Sequence, residues 1–186
     1  MADDSQLLAR YANEGDVQSL SELVAVHTRW LMAYFRGALP DECDAEDAFQ
    51  ETWMRVIRFC GSYHGGSVRA YLARVARSVV TDRFRRSGPP AVSLDSGGED
   101  EVASSIDLVD GAPTPSESFE RRATSEDVRN AVRALPKKLR DVVLLRIEGE
   151  LTFQEIADEL AVPLGTTLTW MRSATARLKK TLEKKR

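Results

Sequence analysis

Apolar residues recur along this chain at three- and four-residue intervals, and no stretch alternates apolar and polar residues over a useful length, so the pattern predicts helices and no sheet. Four helices are expected in the first part. The first runs from about Ser5 to Glu14, closed by Gly15. The second runs from about Asp16 to Leu39, with Leu20, Leu23, Val24, Leu31 and Phe35 inward, and stops at Pro40. The third spans about Asp44–Phe59, with Phe49, Trp53, Val56, Ile57 and Cys60 at core spacing. The fourth spans about Ser67–Arg86, with Val68, Tyr71, Leu72, Val75, Val79 and Val80 as its buried stripe. Four more are expected near the C-terminus: about Glu117–Leu135, Lys137–Glu148, Thr152–Leu160 and Pro163–Lys184. Pro136 suits the entry to a first turn.

Between these halves the pattern stops. Residues 88–118 are rich in Gly, Pro, Ser and acids, with no sustained apolar period, and cannot bury enough surface to order themselves. The expected organisation is therefore all-α: two small helical domains, 1–87 and 119–186, joined by a flexible acidic linker at 88–118.

The pair of helices around Leu151–Lys180 carries the strongest local signal. Thr152 and Glu155 form a capping box at a helix start. Ile156, Ala157 and Leu160 give that short helix one apolar face, and Pro163 and Gly165 then punctuate the chain before a second amphipathic segment with a basic end. Two helices across so short a turn make a helix-turn-helix, whose second helix fits the DNA major groove.

The net charge of −3 argues against a polyanion partner only until it is divided along the chain. The first 87 residues hold 11 Arg against 12 acids, and the linker holds seven acids and no base. The remainder holds 15 bases against 10 acids, so the acidity lies in the middle. A polyanion senses the local basic stripes within a Debye length rather than the total. The fourth helix carries six Arg and one Asp, with Arg74, Arg77, Thr81 and Arg85 on one face. Guanidinium groups are suited to bidentate phosphate contacts, so this face is expected to hold a nucleic-acid backbone. The preceding loop, Phe59–Gly66, offers Tyr63 and His64; stacking on an unpaired base and a plain connector both fit it. On the third helix Asp47, Gln50, Glu51 and Met54 fall at i, i+3, i+4 and i+7. A solvated face and a protein-docking surface fit that stripe equally.

Cys43 and Cys60 stand apart with no metal or disulfide spacing, and His27 and His64 are isolated. No nucleophile–base pair, phosphate-binding glycine loop or metal cluster is visible, so neither an enzymatic role nor a cofactor is expected. The chain has no apolar run of membrane-spanning length and no signal-peptide pattern, which places it in the cytoplasm as an expectation.

The order of these stretches resembles the extracytoplasmic-function (ECF) sigma factors, bacterial transcription initiation factors. The family shows "DAEDxxQExxxRV", and this chain has Asp44-Ala-Glu-Asp-Ala-Phe-Gln-Glu-Thr-Trp-Met-Arg-Val56. An aromatic- and Arg-bearing helix follows, as in Tyr71–Arg86. The family's "LPxxxRxVxxLRxxEGLSxxEIA" is similar to Leu135–Ala157. The resemblance implies that Asp47, Gln50, Glu51 and Met54 dock on core RNA polymerase. It implies that Tyr63, His64, Arg74, Arg77, Ser78, Thr81 and Arg85 handle the minus-ten element, with a base captured by the loop. The linker would thread toward the RNA exit path. The last helix would read the minus-thirty-five element through Thr166, Thr167, Thr169, Trp170, Arg172, Ser173 and Arg177. Many members are held inactive by an anti-sigma partner, so promoter DNA, polymerase and an anti-sigma factor are the partner classes implied.

The chain departs from the family in its reading helix. Where "GTVKSRLxRAR" is usual, it has Gly165-Thr-Thr-Leu-Thr-Trp-Met-Arg-Ser-Ala-Thr175, with Leu168 and Trp170 at the usual Lys and Arg. Trp170 fits a core position, a thymine methyl contact or a protein contact alike. Ala161 stands at the usual turn glycine, and Ser78 at a frequent Asn. Two rival readings follow: a stand-alone helix-turn-helix regulator, and a sigma-like interaction protein that no longer reads promoters.

Overall fold

The computed structural model describes residues 3–63, 65–86 and 125–183, and every regular element among them is helical. The acidic linker of 88–118 and His64 lie outside the described residues. The first half holds α1 (Asp4–Glu14), α2 (Val17–Ala38), α3 (Glu42–Phe59), a 3-10 turn (Cys60–Ser62) and α4 (Val68–Arg86). The second half holds α5 (described from 125 to 133), α6 (Lys137–Ile147), α7 (Phe153–Leu160) and α8 (Leu164–Glu183).

The predicted punctuation is where the chain uses it. Gly15 closes α1 in the left-handed conformation at φ 69°. Asp16 caps α2 by accepting from the Gln18 backbone N–H at 3.1 Å and from the Ser19 hydroxyl at 2.6 Å. At α7 the capping box closes both ways: Thr152 Oγ1 accepts from the Glu155 N–H at 3.2 Å, and Glu155 Oε2 accepts from the Thr152 N–H at 2.8 Å. Burial pushes the Glu155 carboxyl upward, but the hydrogen bonds from Thr152 and Ser67 outweigh it and hold the group below the ordinary glutamate range.

Ala161 ends α7 at φ 53° and ψ 45°, a left-handed geometry that its Cβ disfavours. Ala161→Gly is expected to stabilise the protein by about 1 kcal/mol and to raise Tm by a few degrees in thermal unfolding. An unchanged Tm would mean that the strain is already relieved by the surrounding packing.

Leu23, Leu31, Tyr34 and Phe35 of α2, Ala45, Ala48 and Val56 of α3, and Leu72, Ala76 and Val79 of α4 are buried in the first half. Val142, Leu145, Leu151, Ile156 and Ala174 are buried in the second. Each fully buried branched aliphatic side chain contributes about 1.5–3 kcal/mol. His27 belongs to this packing. Its Nδ1 accepts from the Trp30 indole N–H at 2.8 Å, which places the ring proton on Nε2, 3.0 Å from the Asp4 carboxylate. Burial lowers its pKa despite that carboxylate, and the contact ties α1 to α2.

One expectation needs correction. Ile57, read as core beside Trp53 and Val56, is 43% exposed: α3 buries Thr52 along with those two and turns Ile57 outward. The two helical halves pack on each other, with one apolar cluster running through both. α2 lies against α6 at Gly37, where an added Cβ would run into the Leu144 side chain, so the missing side chain permits the close approach. α4 lies against α7.

Candidate nucleic-acid and protein interfaces

α3 turns Asp47, Gln50 and Met54 outward, with Glu51 half-buried beside them, and Met54 is 65% exposed. Thr52, Trp53 and Val56 hold the helix down from the other side. Ile57 extends this face by one turn. The sequence reading missed it because its spacing also matched the core stripe, and only its offset from Met54 could have signalled the alternative. Asp47 lies 3.2 Å from the Arg83 guanidinium, which also reaches Asp44 at 2.8 Å. Glu51 pairs with Arg55 one turn on and approaches Arg86 at 4.0 Å. The result is a carboxylate-rich rim around two exposed apolar side chains.

α4 runs beside α3 and presents the basic candidates. Arg55 of α3 donates to Ser78 Oγ at 3.0 Å and pairs with Asp82 at 3.0 Å, so Ser78 is held between the two helices. Arg85 is exposed and pairs with Asp82 at 3.3 Å. Arg55, Phe59, Tyr71, Arg74, Val75 and Ser78 line a cavity of about 260 Å³ with two aromatic walls. Of these lining groups, the sequence reading had singled out only Arg74 and Ser78.

Arg74, Arg77 and Thr81 point toward the second half of the chain. Arg74 Nε donates to Glu159 Oε2 at 2.9 Å. Arg77 Nη1 donates to Glu159 Oε1 at 3.1 Å and to its backbone carbonyl at 2.9 Å. Arg77 Nε stands 3.8 Å from Asp141, an ion pair without a hydrogen bond. Burial raises the Asp141 carboxyl pKa against the pull of Lys137, Arg77 and Arg140. Lys137 Nζ reaches Thr81 Oγ1 at 3.4 Å.

Tyr63 is engaged as well. Its hydroxyl donates to the Gly66 carbonyl at 2.6 Å, and its ring lies 5.5 Å from that of Tyr71. Gly65 and Gly66 take φ values of 92° and 98°, which only glycine adopts readily, and let the loop fold back onto Tyr63.

On α8 the candidates divide. Thr169, Arg172 and Arg177 are exposed, and Thr166 and Ser173 are half-buried. Thr169 Oγ1 donates to the Gly165 carbonyl at 2.9 Å, which leaves its lone pairs outward. Thr167 is fully buried one heptad before buried Ala174, so its side chain fills the core rather than a groove. Trp170 packs partly against the core, with Lys138 Nζ 5.7 Å from its ring centre. Leu168 is exposed on the side that Thr169 and Arg172 share.

Cys43 and Cys60 are free thiols. Among the described residues no group of three or more His, Cys, Asp or Glu is placed to hold a metal ion, and no helix is long and apolar enough to cross a membrane.

Comparison with known proteins places both halves. Residues 23–89 match the family model for Sigma-70 region 2, and residues 125–178 match that for Sigma-70, region 4. The ECF RNA polymerase sigma factor SigE of Mycolicibacterium smegmatis is 31% identical over 156 residues, covering 83% of this chain and 58% of that protein. The chain thus spans little more than half the length of that relative. The ECF RNA polymerase sigma factor SigW of Bacillus subtilis is 23% identical over 175 residues, covering 93% of this chain and 94% of its own. Among solved structures, CnrH in complex with the cytosolic domain of CnrY shares the fold at a TM-score of 0.69, with 22% identity across 97% of this chain and 98% of that one. RpoE in complex with the anti-sigma factor NepR, from Bartonella quintana, does so at 0.66, with 19% identity across 91% and 99%.

Proposed function

The chain belongs to the ECF sigma factors of the sigma-70 family, and from that premise we propose that it binds core RNA polymerase in the bacterial cytoplasm and directs it to promoters. It supplies recognition and the polymerase supplies the phosphodiester chemistry, so the chain is not itself an enzyme. The observation that carries this reading is the adjacency of two opposed faces: a carboxylate and methionine face on α3 and a guanidinium face on α4, within the matched region 2.

In this reading Asp47, Gln50, Glu51, Met54 and Ile57 dock on the polymerase. Carboxylates steer the encounter with a basic surface, and Met54 and Ile57 supply the apolar contact that anchors it. Arg74, Arg77 and Arg85 hold the minus-ten backbone. The cavity walled by Phe59 and Tyr71, with the Tyr63 ring tilted against that of Tyr71, receives an extruded base. Extrusion costs a few kcal/mol, which stacking on such walls and polar contacts offset. Thr166, Thr169, Arg172 and Ser173 of α8 face the minus-thirty-five element, and Arg177 contacts phosphate. The partners of related proteins suggest an anti-sigma factor as a further ligand of these surfaces.

Run-off transcription with core polymerase on genomic fragments tests the proposal. Discrete start sites that depend on the chain support it, and no binding to core polymerase would overturn it. The reading as a sigma-like interaction protein draws on Leu168, an apolar side chain where the family carries a base. Leu168→Lys discriminates between the two readings. One added phosphate contact is expected to steepen the salt dependence of promoter binding by about 0.9 in log–log slope. An unchanged slope would mean that α8 does not lie against DNA.

A further inference from the structure

We propose that the first turn of α1 positions the base-capturing loop: Ser5 holds it directly at Tyr63, and the adjacent Asp4 holds the turn that follows it through His27 and Trp30. The inference rests on the sigma-factor reading for what the loop receives. The grip itself rests on geometry. α1 ends at Glu14, ahead of residue 23 where the region 2 match begins, so that match assigns the helix no task.

The Tyr63 hydroxyl has one proton, and it lies on the Gly66 carbonyl at 2.6 Å. Ser5 Oγ, 3.3 Å from the same hydroxyl, is therefore the donor of that pair. A contact of this length is weak alone, but it continues a chain of polarised hydroxyls and holds the phenol from the side opposite the loop. The Tyr63 ring lies 5.5 Å from that of Tyr71 and is tilted to it by 58°. Tyr71 is a wall of the cavity, so Ser5 acts on the cavity through Tyr63 without touching it.

Asp4 starts a second line. Its carboxylate lies 3.0 Å from His27 Nε2, and His27 Nδ1 accepts from the Trp30 indole at 2.8 Å. The Arg69 guanidinium stands 5.5 Å over the Trp30 ring, in the first turn of α4 just after the loop. His27 and Trp30 are both buried, which leaves this line little room to shift. Leu7 and Leu8, buried one turn on, anchor α1 itself, and the helix lies against the 3-10 turn and α4.

One helical turn thus grips the chain at Tyr63 and at Arg69. Between them lie Gly65 and Gly66, whose backbone freedom leaves the path of the loop to whatever holds its ends. Ordering such a loop at the moment of base capture would cost backbone entropy. A loop already held by α1 has lost that entropy beforehand, so binding is stronger by the same amount.

Two readouts test the proposal. The first is amide hydrogen exchange by NMR on the free full chain. The Tyr63 N–H donates to the Cys60 carbonyl at 3.0 Å and reports on the turn that Ser5 grips. Ser5→Ala is expected to speed its exchange about 5-fold and to leave the amides of α2 unchanged. The second uses the chain with core polymerase and a premelted promoter fragment found by run-off transcription. Each minus-ten base is replaced in turn by an abasic site. Wild type is expected to prefer the intact strand at the captured position. Ser5→Ala is expected to cut that preference about 5-fold, and Asp4→Ala about 10-fold, with binding of the abasic strand unchanged. Ser5→Thr keeps the hydroxyl and should restore the preference. Gln6→Ala, exposed on the same turn, should not alter it.

Unchanged exchange at Tyr63, or an unchanged preference in either variant, overturns the positioning role. So does an equal loss of affinity for the intact and abasic strands. If the exchange gain holds but the polymerase does not bind the chain, or no position shows a base preference, the sigma-factor reading of the loop fails and the grip of α1 stands.

Discussion

Asp47→Lys combined with Gln50→Ala is expected to weaken binding to core RNA polymerase by about 100-fold, the loss of nearly 3 kcal/mol typical when a charged contact at an interface centre is reversed. The fold should be untouched. Both side chains are exposed, and the helix is held by Ala45, Ala48, Thr52, Trp53 and Val56 on the opposite side. Arg83 loses Asp47 but keeps Asp44 at 2.8 Å, so α3 and α4 stay joined. Fluorescence anisotropy with labelled chain and core polymerase measures the change, and circular dichroism checks the helices. Wild-type affinity in the double variant would return the stripe to an ordinary solvated face and move the docking surface elsewhere.

Arg74→Ala with Arg77→Ala is expected to leave polymerase affinity near wild type and to reduce promoter opening by roughly 100-fold, from about 1.5 kcal/mol for each lost charge-assisted contact. Loss of two single-strand phosphate contacts should also flatten the salt dependence by about 1.4 in log–log slope. Permanganate footprinting of the melted region, repeated over a salt series, separates this from a general loss of activity. The double variant also frees Glu159 from both partners and leaves Asp141 with Lys137 and Arg140 as its nearby charges. A thermal melt therefore belongs beside the footprint. Normal opening with an unchanged slope would show that α4 does not hold the promoter strand.

Much of the chain was legible because its signals are local. Helix ends follow from Gly15, Asp16, Pro40 and the Thr152–Glu155 box, each acting within one turn of the backbone it satisfies. Ala161 stood out only by the resemblance, as the residue at the family's usual turn glycine, and its left-handed φ of 53° came from the structure. The failures have one common source. Ile57 and Thr167 each sit at the edge of a stripe where a shift of one residue turns the side chain between core and surface, and the spacing cannot choose. For Ile57 the choice fell to Trp53 and Thr52, which took the inward positions on α3. For Thr167 it fell to its alignment with Ala174 along the buried side of α8.

The candidate sites divide in the same way. The carboxylate stripe, the arginine stripe and the helix-turn-helix were visible one by one, because each lies on a single helix with a period of 3.6 residues. Their partners were not visible. Glu159 reads in sequence as one more acid on a short helix, and Ser78 as a missing amide. It takes the packing of α7 on α4 to set one carboxylate between Arg74 and Arg77, and that of α3 on α4 to bring Arg55 to Ser78.

By itself, then, the sequence determined the helices, their caps, the carboxylate and arginine stripes and the family, since these rest on backbone satisfaction and on residue types at short range. The tertiary structure alone decided which surfaces are open. Contacts between residues 82 or 85 positions apart, such as Arg77 or Arg74 with Glu159, leave no periodic trace in the chain. They arise where the burial of Leu144 against Gly37 brings two otherwise separate bundles into register.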